Sequence, residues 1–379
     1  MSASAALANP PVSGKNWRAT LAEIAARLEA EETRADAANA FVEANFTLLR
    51  ERGFLGLAVP VELGGGGLDG PELAALLREL ARHCSATALA FAMHTHLVAA
   101  AAWRWRHQKA PTDGLLRRVA AENLQLLSSG ASDWLAGSGD ATKVEGGYRI
   151  NARKIFASGA PTANLLITGA VEQTAEGPVV LQFGVPMTAS GVSIVETWDA
   201  MGMRGSASHD VLLKDVFIAD AAIAARRPSG MWHPLMHTIC MVAFPLVYAV
   251  YTGIAEAAYD IAVAAAKGNG CAPVDAVGAL HNEWTATRIA CDSMVAFAST
   301  AQPGPQTTST IFTHRTLVAR SAIKTVELAL EAAGGASYFK RLGLERRFRD
   351  IQGARFHPMR QGDQRTLAGR VALGLPIDD

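Results

Sequence analysis

The periodicity of this chain changes twice, and those two changes limit its architecture more than any other feature. From Trp17 to about His107, apolar residues recur at three- and four-residue spacing, as at Leu21, Ile24, Ala25 and Leu28, in a background of Ala, Leu, Glu and Arg. That spacing predicts amphipathic helices. Between about Leu126 and Ala224 the text alternates and is β-branched, with runs such as Tyr148-Arg-Ile-Asn-Ala-Arg-Lys-Ile-Phe156 and Val211-Leu-Leu-Lys-Asp-Val-Phe-Ile218 separated by turn residues. A compact antiparallel sheet domain is expected there. From about Trp232 to Gly374 the helical period returns in three or four long segments, with breaks at 268–273 and 303–305. The order is helices, a β module, then a helical bundle.

Within the first helical part, Gly53-Phe-Leu-Gly-Leu-Ala-Val-Pro60 and Glu62-Leu-Gly-Gly-Gly-Gly67 interrupt the pattern. The glycines lack the Gly-Lys-Ser/Thr ending of a phosphate loop, so a flexible connection is expected. With 379 residues, half of them hydrophobic, the chain can bury a large core and divide into two or three domains. Lys plus Arg equals Asp plus Glu at 35 each, which leaves no long-range field to gather nucleic acid. Cys84, Cys240, Cys271 and Cys291 are scattered, which argues against a metal site or a disulfide framework and for buried cytosolic thiols. Residues 1–15 read as a frayed tail without the features of a secretory signal. Residues 238–255 carry no charge, the length of a membrane span, but Pro245, Gly253 and two tyrosines interrupt them and no basic cluster flanks them. Burial in a bundle or oligomer core is expected instead, and the localisation expected is cytoplasmic.

Five local motifs in fixed order resemble the acyl-CoA dehydrogenase superfamily from about Leu48 onward. They are Gly53-Phe-Leu-Gly with Val59-Pro60-x-Glu62-x-Gly64-Gly65; Ser132-Asp-Trp-Leu-Ala-Gly-Ser138, in the place of Thr-Glu-Pro-x-x-Gly-Ser; Asn151-Ala-Arg-Lys-Ile-Phe-Ala-Ser-Gly159; Ala200-Met-Gly-Met-Arg-Gly-Ser206; and Gly334-Gly335 with Leu344-Glu-Arg-Arg-Phe-Arg-Asp350. The resemblance implies an α+β fold: an N-terminal all-α domain (1–125), a central antiparallel β-barrel-like domain (126–225) and a C-terminal four-helix bundle (226–379). It also implies a homotetramer or homodimer and FAD as cofactor, with FMN as the alternative.

Phe156 and Ser158 lie two apart on one predicted strand and so share a face, where the ring can pack on a flavin and the hydroxyl can reach its N5 or O4 edge. By the resemblance, Ala131 and Ser132 contact the pyrimidine end, Ser138 lies towards the substrate, and Gly334 and Gly335 approach the pyrophosphate. Glu345 and Arg349, four apart, read as a helix-surface pair.

Two departures limit what is inherited. The family's α-proton base is a Glu eight residues after the Arg-Asp pair; counting from Asp350 reaches Pro358, and no acid stands between Ile351 and Gly362. The alternative position, on the first helix of the bundle, aligns with Ala243. The Arg-x-x-Phe-Gly segment that grips the adenosine end of FAD is replaced by Ala264-Ala-Ala-Lys-Gly-Asn-Gly270. His357 adjoins the vacant position, and His94 and His96 come from helices that line the pocket in this superfamily. A neutral imidazole can take or give a proton, so His357, Ser158 and His94 are the catalytic candidates and His96, with Ser138, the substrate-side candidate.

The first reading is a dehydrogenase-like oxidoreductase moving hydride from an acyl-CoA or similar donor to flavin N5. The alternatives are a reduced-flavin monooxygenase working through a C4a-hydroperoxide, as in enzymes that share this fold, and a non-catalytic flavoprotein. A small-molecule substrate and an electron acceptor or flavin reductase are the partners implied.

Overall fold

The computed structural model describes residues 16–268 and 273–378. The 1–15 tail, Cys271 and the middle of the predicted 268–273 break lie outside the described residues. Five helices come first: α1 (Trp17–Ala38), α2 (Glu43–Glu51), α3 (Gly70–His83), α4 (Ser85–Gln108) and α5 (Asp113–Glu122). Asp69 starts α3 with a capping box, its side chain accepting from Glu72 N while the Glu72 carboxylate accepts from Asp69 N.

The connection between α2 and α3 is not a flexible link. Its backbone bonds to itself (Gly66 N to Gly56 O at 3.0 Å, Leu68 N to Leu57 O at 2.9 Å), and Phe54, Leu55, Leu57 and Val59 are buried. Its glycines are there for space. A Cβ on Gly65 would meet Val59 at 2.3 Å, and one on Gly66 would meet Leu57 at 2.7 Å.

The central domain runs from β1 (Leu126–Ser128) through β2 (Asp140–Val144), β3 (Gly147–Ala157), β4 (Leu165–Thr174), β5 (Gly177–Pro186), β6 (Val192–Val195) and β7 (His209–Ala219) to β8 (Ile223–Pro228). The strands form one sheet in the order β6-β7-β3-β2-β4-β5-β8, with β1 beside β4. The expected antiparallel pattern holds for most ladders, but β1 and β2 both run parallel to β4, so the sheet is mixed. The connection from β1 to β2, residues 129–139, is the one that builds the site.

The C-terminal part has three long helices, α6 (Pro234–Lys267), α7 (Val274–Thr300) and α8 (Pro305–Ala333), and two short ones, α9 (Leu344–Ile351) and α10 (Gln361–Ala372), in place of a fourth long one. Both α4 and α6 are long and apolar enough to cross a membrane, and nine-tenths of that stretch is buried inside the protein. α6 packs against α3, α4, α7 and α8 of its own chain. Its all-round apolarity is thus accounted for without an oligomer core. Glu345 and Arg349 pair as expected (2.8 Å), but Arg349 also makes a two-pronged bond to Asp36 (2.7 and 2.9 Å), tying α9 to α1.

Candidate functional site

The loop after β1 is held from beneath by two buried cations. Lys154 is fully buried at the inward parity of β3, in line with Ile150 and Ala152, and its ammonium donates to Asp133 (2.7 Å), Ser138 O (2.8 Å), Ser138 Oγ (3.0 Å) and Gly169 O (2.5 Å). Asp133 also accepts from Thr168 Oγ1 (2.5 Å), Gly169 N (3.3 Å) and Ser129 Oγ. Arg227, buried on β8, donates to Trp134 O (2.8 Å), Asp133 O (3.2 Å) and Leu135 O. Burial pulls the Lys154 pKa down, and the Asp133 carboxylate works against that shift. Ser132 turns its hydroxyl back to β3, accepting from Ile155 N at 2.8 Å, while Ala131 sits in the single turn Gly130–Asp133. The hydroxyls of Ser132 and Ser138 therefore brace the loop as the structure stands.

Phe156 and Ser158 do not share a face. A bulge interrupts the β3–β7 register between Lys154 and Ala157, and Phe156 adopts φ 56°, so two successive side chains, Ile155 and Phe156, turn outward. Phe156 is 49% exposed, with Trp198 edge-on at 6.0 Å, whereas Ser158 is 7% exposed and bonds to Ser208 Oγ at 2.7 Å. An apolar ledge thus stands beside a buried hydroxyl, a donor set suited to the flat face and polar edge of an isoalloxazine.

Above this loop, a cavity of about 150 Å³ opens where all three parts of the chain meet. Its wall includes His96 from α4, Trp134 from the loop, Thr168 from β4, Ala243 and Phe244 from α6, and His357. Trp134 presents its edge to Phe244 and Phe312 (6.3 and 5.9 Å). The His357 ring takes a 2.6 Å hydrogen bond with the Tyr251 hydroxyl, and its carbonyl accepts from Arg315 at 2.7 Å. Burial, with the Arg315 charge adding to it, pushes His357 down to about 3. His96 is buried with Nδ1 unpartnered, and burial lowers it to about 4. Both rings are neutral at pH 7. His94 faces elsewhere: its Nε2 bonds to Leu55 O (2.9 Å) and its Nδ1 accepts from Leu126 N (3.0 Å), which uses both ring nitrogens.

The acyl-CoA dehydrogenase N-terminal domain matches residues 15–110 and the middle domain of the same family matches residues 129–216. The chain belongs to the acyl-CoA dehydrogenase superfamily. It is a flavin-dependent oxidoreductase of that fold. Its relatives cover more than one chemistry. The amino sugar nitrososynthase DnmZ of Streptomyces peucetius is 29% identical over 87% of this chain and 86% of its own length. The putative acyl-CoA dehydrogenase YdbM of Bacillus subtilis (strain 168) is 24% identical over 91% and 93%. The solved structure of KijD3 in complex with FMN and dTDP-3-amino-2,3,6-trideoxy-4-keto-3-methyl-D-glucose superposes with a TM-score of 0.89 at 27% identity, covering 98% of this chain and 97% of that one.

Against the superfamily's pattern, the acids are the informative difference. Among the described residues lining the cavity, Asp133 is the single carboxylate, and Lys154, Thr168 and Gly169 already occupy it. Pro358 and Ala243 line the same cavity. Gly334 caps α8 at φ 63°, and a Cβ at either Gly334 or Gly335 would meet open space. The glycines thus leave room for a ligand but are also explained by the helix end. Sequence reasoning missed Asp133, Lys154 and Tyr251 as contributors. Lys154 carried a signal, a lysine at the core-facing parity of a strand; Tyr251 carried none, because it is one more amphipathic residue on a buried helix.

Proposed function

We propose that this chain is a reduced-flavin-dependent monooxygenase that oxidises a small molecule in the cavity bounded by His96, Trp134 and His357. The observation that carries the reading is that this cavity offers no free base: its one carboxylate is already bonded and its two imidazoles are neutral. Removing the α-proton of a thioester needs a free base of suitable pKa facing the flavin. Asp133 is spent in its bonds to Lys154 and Thr168, and an imidazole lowered to about 3 or 4 is a poor base for the task. Neutral rings are instead good hydrogen-bond partners for a polar reacting group and for oxygen. Oxygenation also needs water excluded, and Phe244, Trp134 and Val247 make the wall apolar.

Bound flavin supplies the redox chemistry, either accepting a hydride or, when reduced, activating dioxygen. The residues that would hold it are Phe156 and Ile155 under the ring, Ser158 at its N5 edge, and the main chain of 130–132 at its pyrimidine end; Gly334 and Gly335 suit the phosphate end. The missing Arg and Phe near Lys267 fit FMN or a loosely held FAD. His357 and Ser158 are the groups that touch the reacting atoms in this reading. His94 holds the fold, and His96 faces the substrate. The named relatives make nucleotide-linked amino sugars the first substrates to try. A separate flavin reductase supplies electrons, and the enzyme works in the cytoplasm as a homo-oligomer.

The dehydrogenase reading is supported by the two acyl-CoA dehydrogenase domains that match the chain and by the relatives named as acyl-CoA dehydrogenases. One experiment separates the two. Oxidised protein reconstituted with FAD or FMN is mixed anaerobically with an acyl-CoA panel, and in parallel with reduced flavin, air and amino sugar nucleotides. Substrate-dependent oxygen incorporation in the second arm, with no bleaching in the first, is expected. Bleaching by any acyl-CoA would overturn the proposal.

A further inference from the structure

Three buried serines form a chain that ends at the proposed flavin edge. Ser158 Oγ lies 2.7 Å from Ser208 Oγ, which lies 2.7 Å from Ser206 Oγ. Exposure rises along the chain, from 0% at Ser206 to 3% at Ser208 and 7% at Ser158, so Ser158 is the open end. Each hydroxyl has one hydrogen and two lone pairs.

The two directions of this chain differ in cost. If Ser158 donates to Ser208 and Ser208 to Ser206, the Ser206 hydrogen ends in a sealed position with no acceptor other than Ser208 among the described residues. If Ser206 donates to Ser208 and Ser208 to Ser158, every inner hydrogen is used and only lone pairs are left over. An orphaned buried donor is the costlier defect.

We infer that Ser206 and Ser208 are positioning residues that fix the Ser158 hydroxyl with its hydrogen turned outward, as a donor to the flavin edge. The inference rests on the flavin reading above. Oxidised flavin offers a bare N5 that accepts this hydrogen. Reduced flavin carries its own hydrogen at N5, which donates to the remaining lone pair of Ser158 but leaves the Ser158 hydrogen without its acceptor. The chain therefore favours the oxidised form, by about tenfold, the cost of a buried hydroxyl hydrogen left without an acceptor.

The test is a pair of FMN titrations, one aerobic with oxidised FMN and one anaerobic with dithionite-reduced FMN, on the wild type and on Ser208→Ala, Ser206→Ala and Ser208→Thr. Ser208→Ala should weaken oxidised FMN about tenfold more than reduced FMN, which equals a rise of about 30 mV in the bound potential. Ser206→Ala should move the ratio the same way and less. Ser208→Thr, which keeps the hydroxyl, should restore it. A purely structural role would weaken both forms alike, and an unmoved ratio overturns the inference while leaving the flavin reading intact. Failure of the wild type to bind either form overturns both.

Discussion

Two buried polar clusters border the cavity, one through Asp133 and the other through His96 and His357, and they are built on opposite rules. On the sheet side, Lys154 and Asp133 are charged, and each makes several short bonds. On the helix side, His96 and His357 are neutral, and His96 Nδ1 has no partner. A saturated cluster has nothing left for a ligand and works as scaffold; an unsaturated one carries unused hydrogen-bonding capacity into an apolar space. The difference teaches which polar residues near a cavity to suspect of chemistry: those with bonds still to make.

The comparison is broken most severely by Lys154→Met, which strands Asp133 in the interior. A loss of about 3 kcal/mol or more is expected in urea unfolding, and a loss under about 1 kcal/mol would mean the cluster is not scaffold. Ser158→Leu crowds the ledge and should cut flavin retention at least tenfold, measured by titration beside a thermal melt; an unchanged flavin spectrum removes Ser158 from the site.

His357→Ala sharpens the contrast from the other side. Stability should fall by no more than about 1–2 kcal/mol, whereas peroxide released without product should rise several-fold under turnover. Unaltered coupling with a large stability loss would place His357 with the scaffold.

The pH dependence follows from the same neutrality. His94 and His96 sit near 4 and His357 near 3 in the fold, against an ordinary value near 6.5, so the unfolded chain takes up protons that the native state refuses. Their contribution is complete above about pH 6.5 and is lost as pH falls towards 4. Asp350 runs the other way. Burial and the Glu32 charge beside it raise it to about 6 from 3.8, so it favours the native state in acid and that help fades as pH rises from 3.8 through 6. Three histidines outweigh one aspartate, and denaturant midpoints should fall between pH 6.5 and 4.5. A flat profile would show the rings to be solvated. The smallest effect belongs to Glu345→Gln, about 0.5 kcal/mol or less, because Arg349 keeps its bonds to Asp36.

Much of the fold was legible because it is written in periodicity. The switch at Leu126 falls on the first strand, and the alternation of the run that begins at Tyr148 holds through Ile150 and Ala152, all three of them buried. What alternation could not convey was the bulge at Phe156, where one left-handed residue reverses the expected face. The connection between α2 and α3 misled for a related reason, since glycines that make room for close packing have the same composition as glycines that give slack. At the site, motif order pointed to the Ser132–Ser138 loop, but the pairing of Tyr251 with His357 spans 106 residues and leaves no local mark. His94 shows the limit of residue type as a guide: its position in the chain suggested chemistry, and its two main-chain partners give it a bracing role.

The His94 bridge sets where this protein can be cut and rejoined. Because one imidazole joins Leu55 of the glycine-rich connection to Leu126 of the first strand, a chimera spliced between α5 and β1 inherits half of a fastener from each parent. Swaps that carry everything through β1 as a single cassette preserve it.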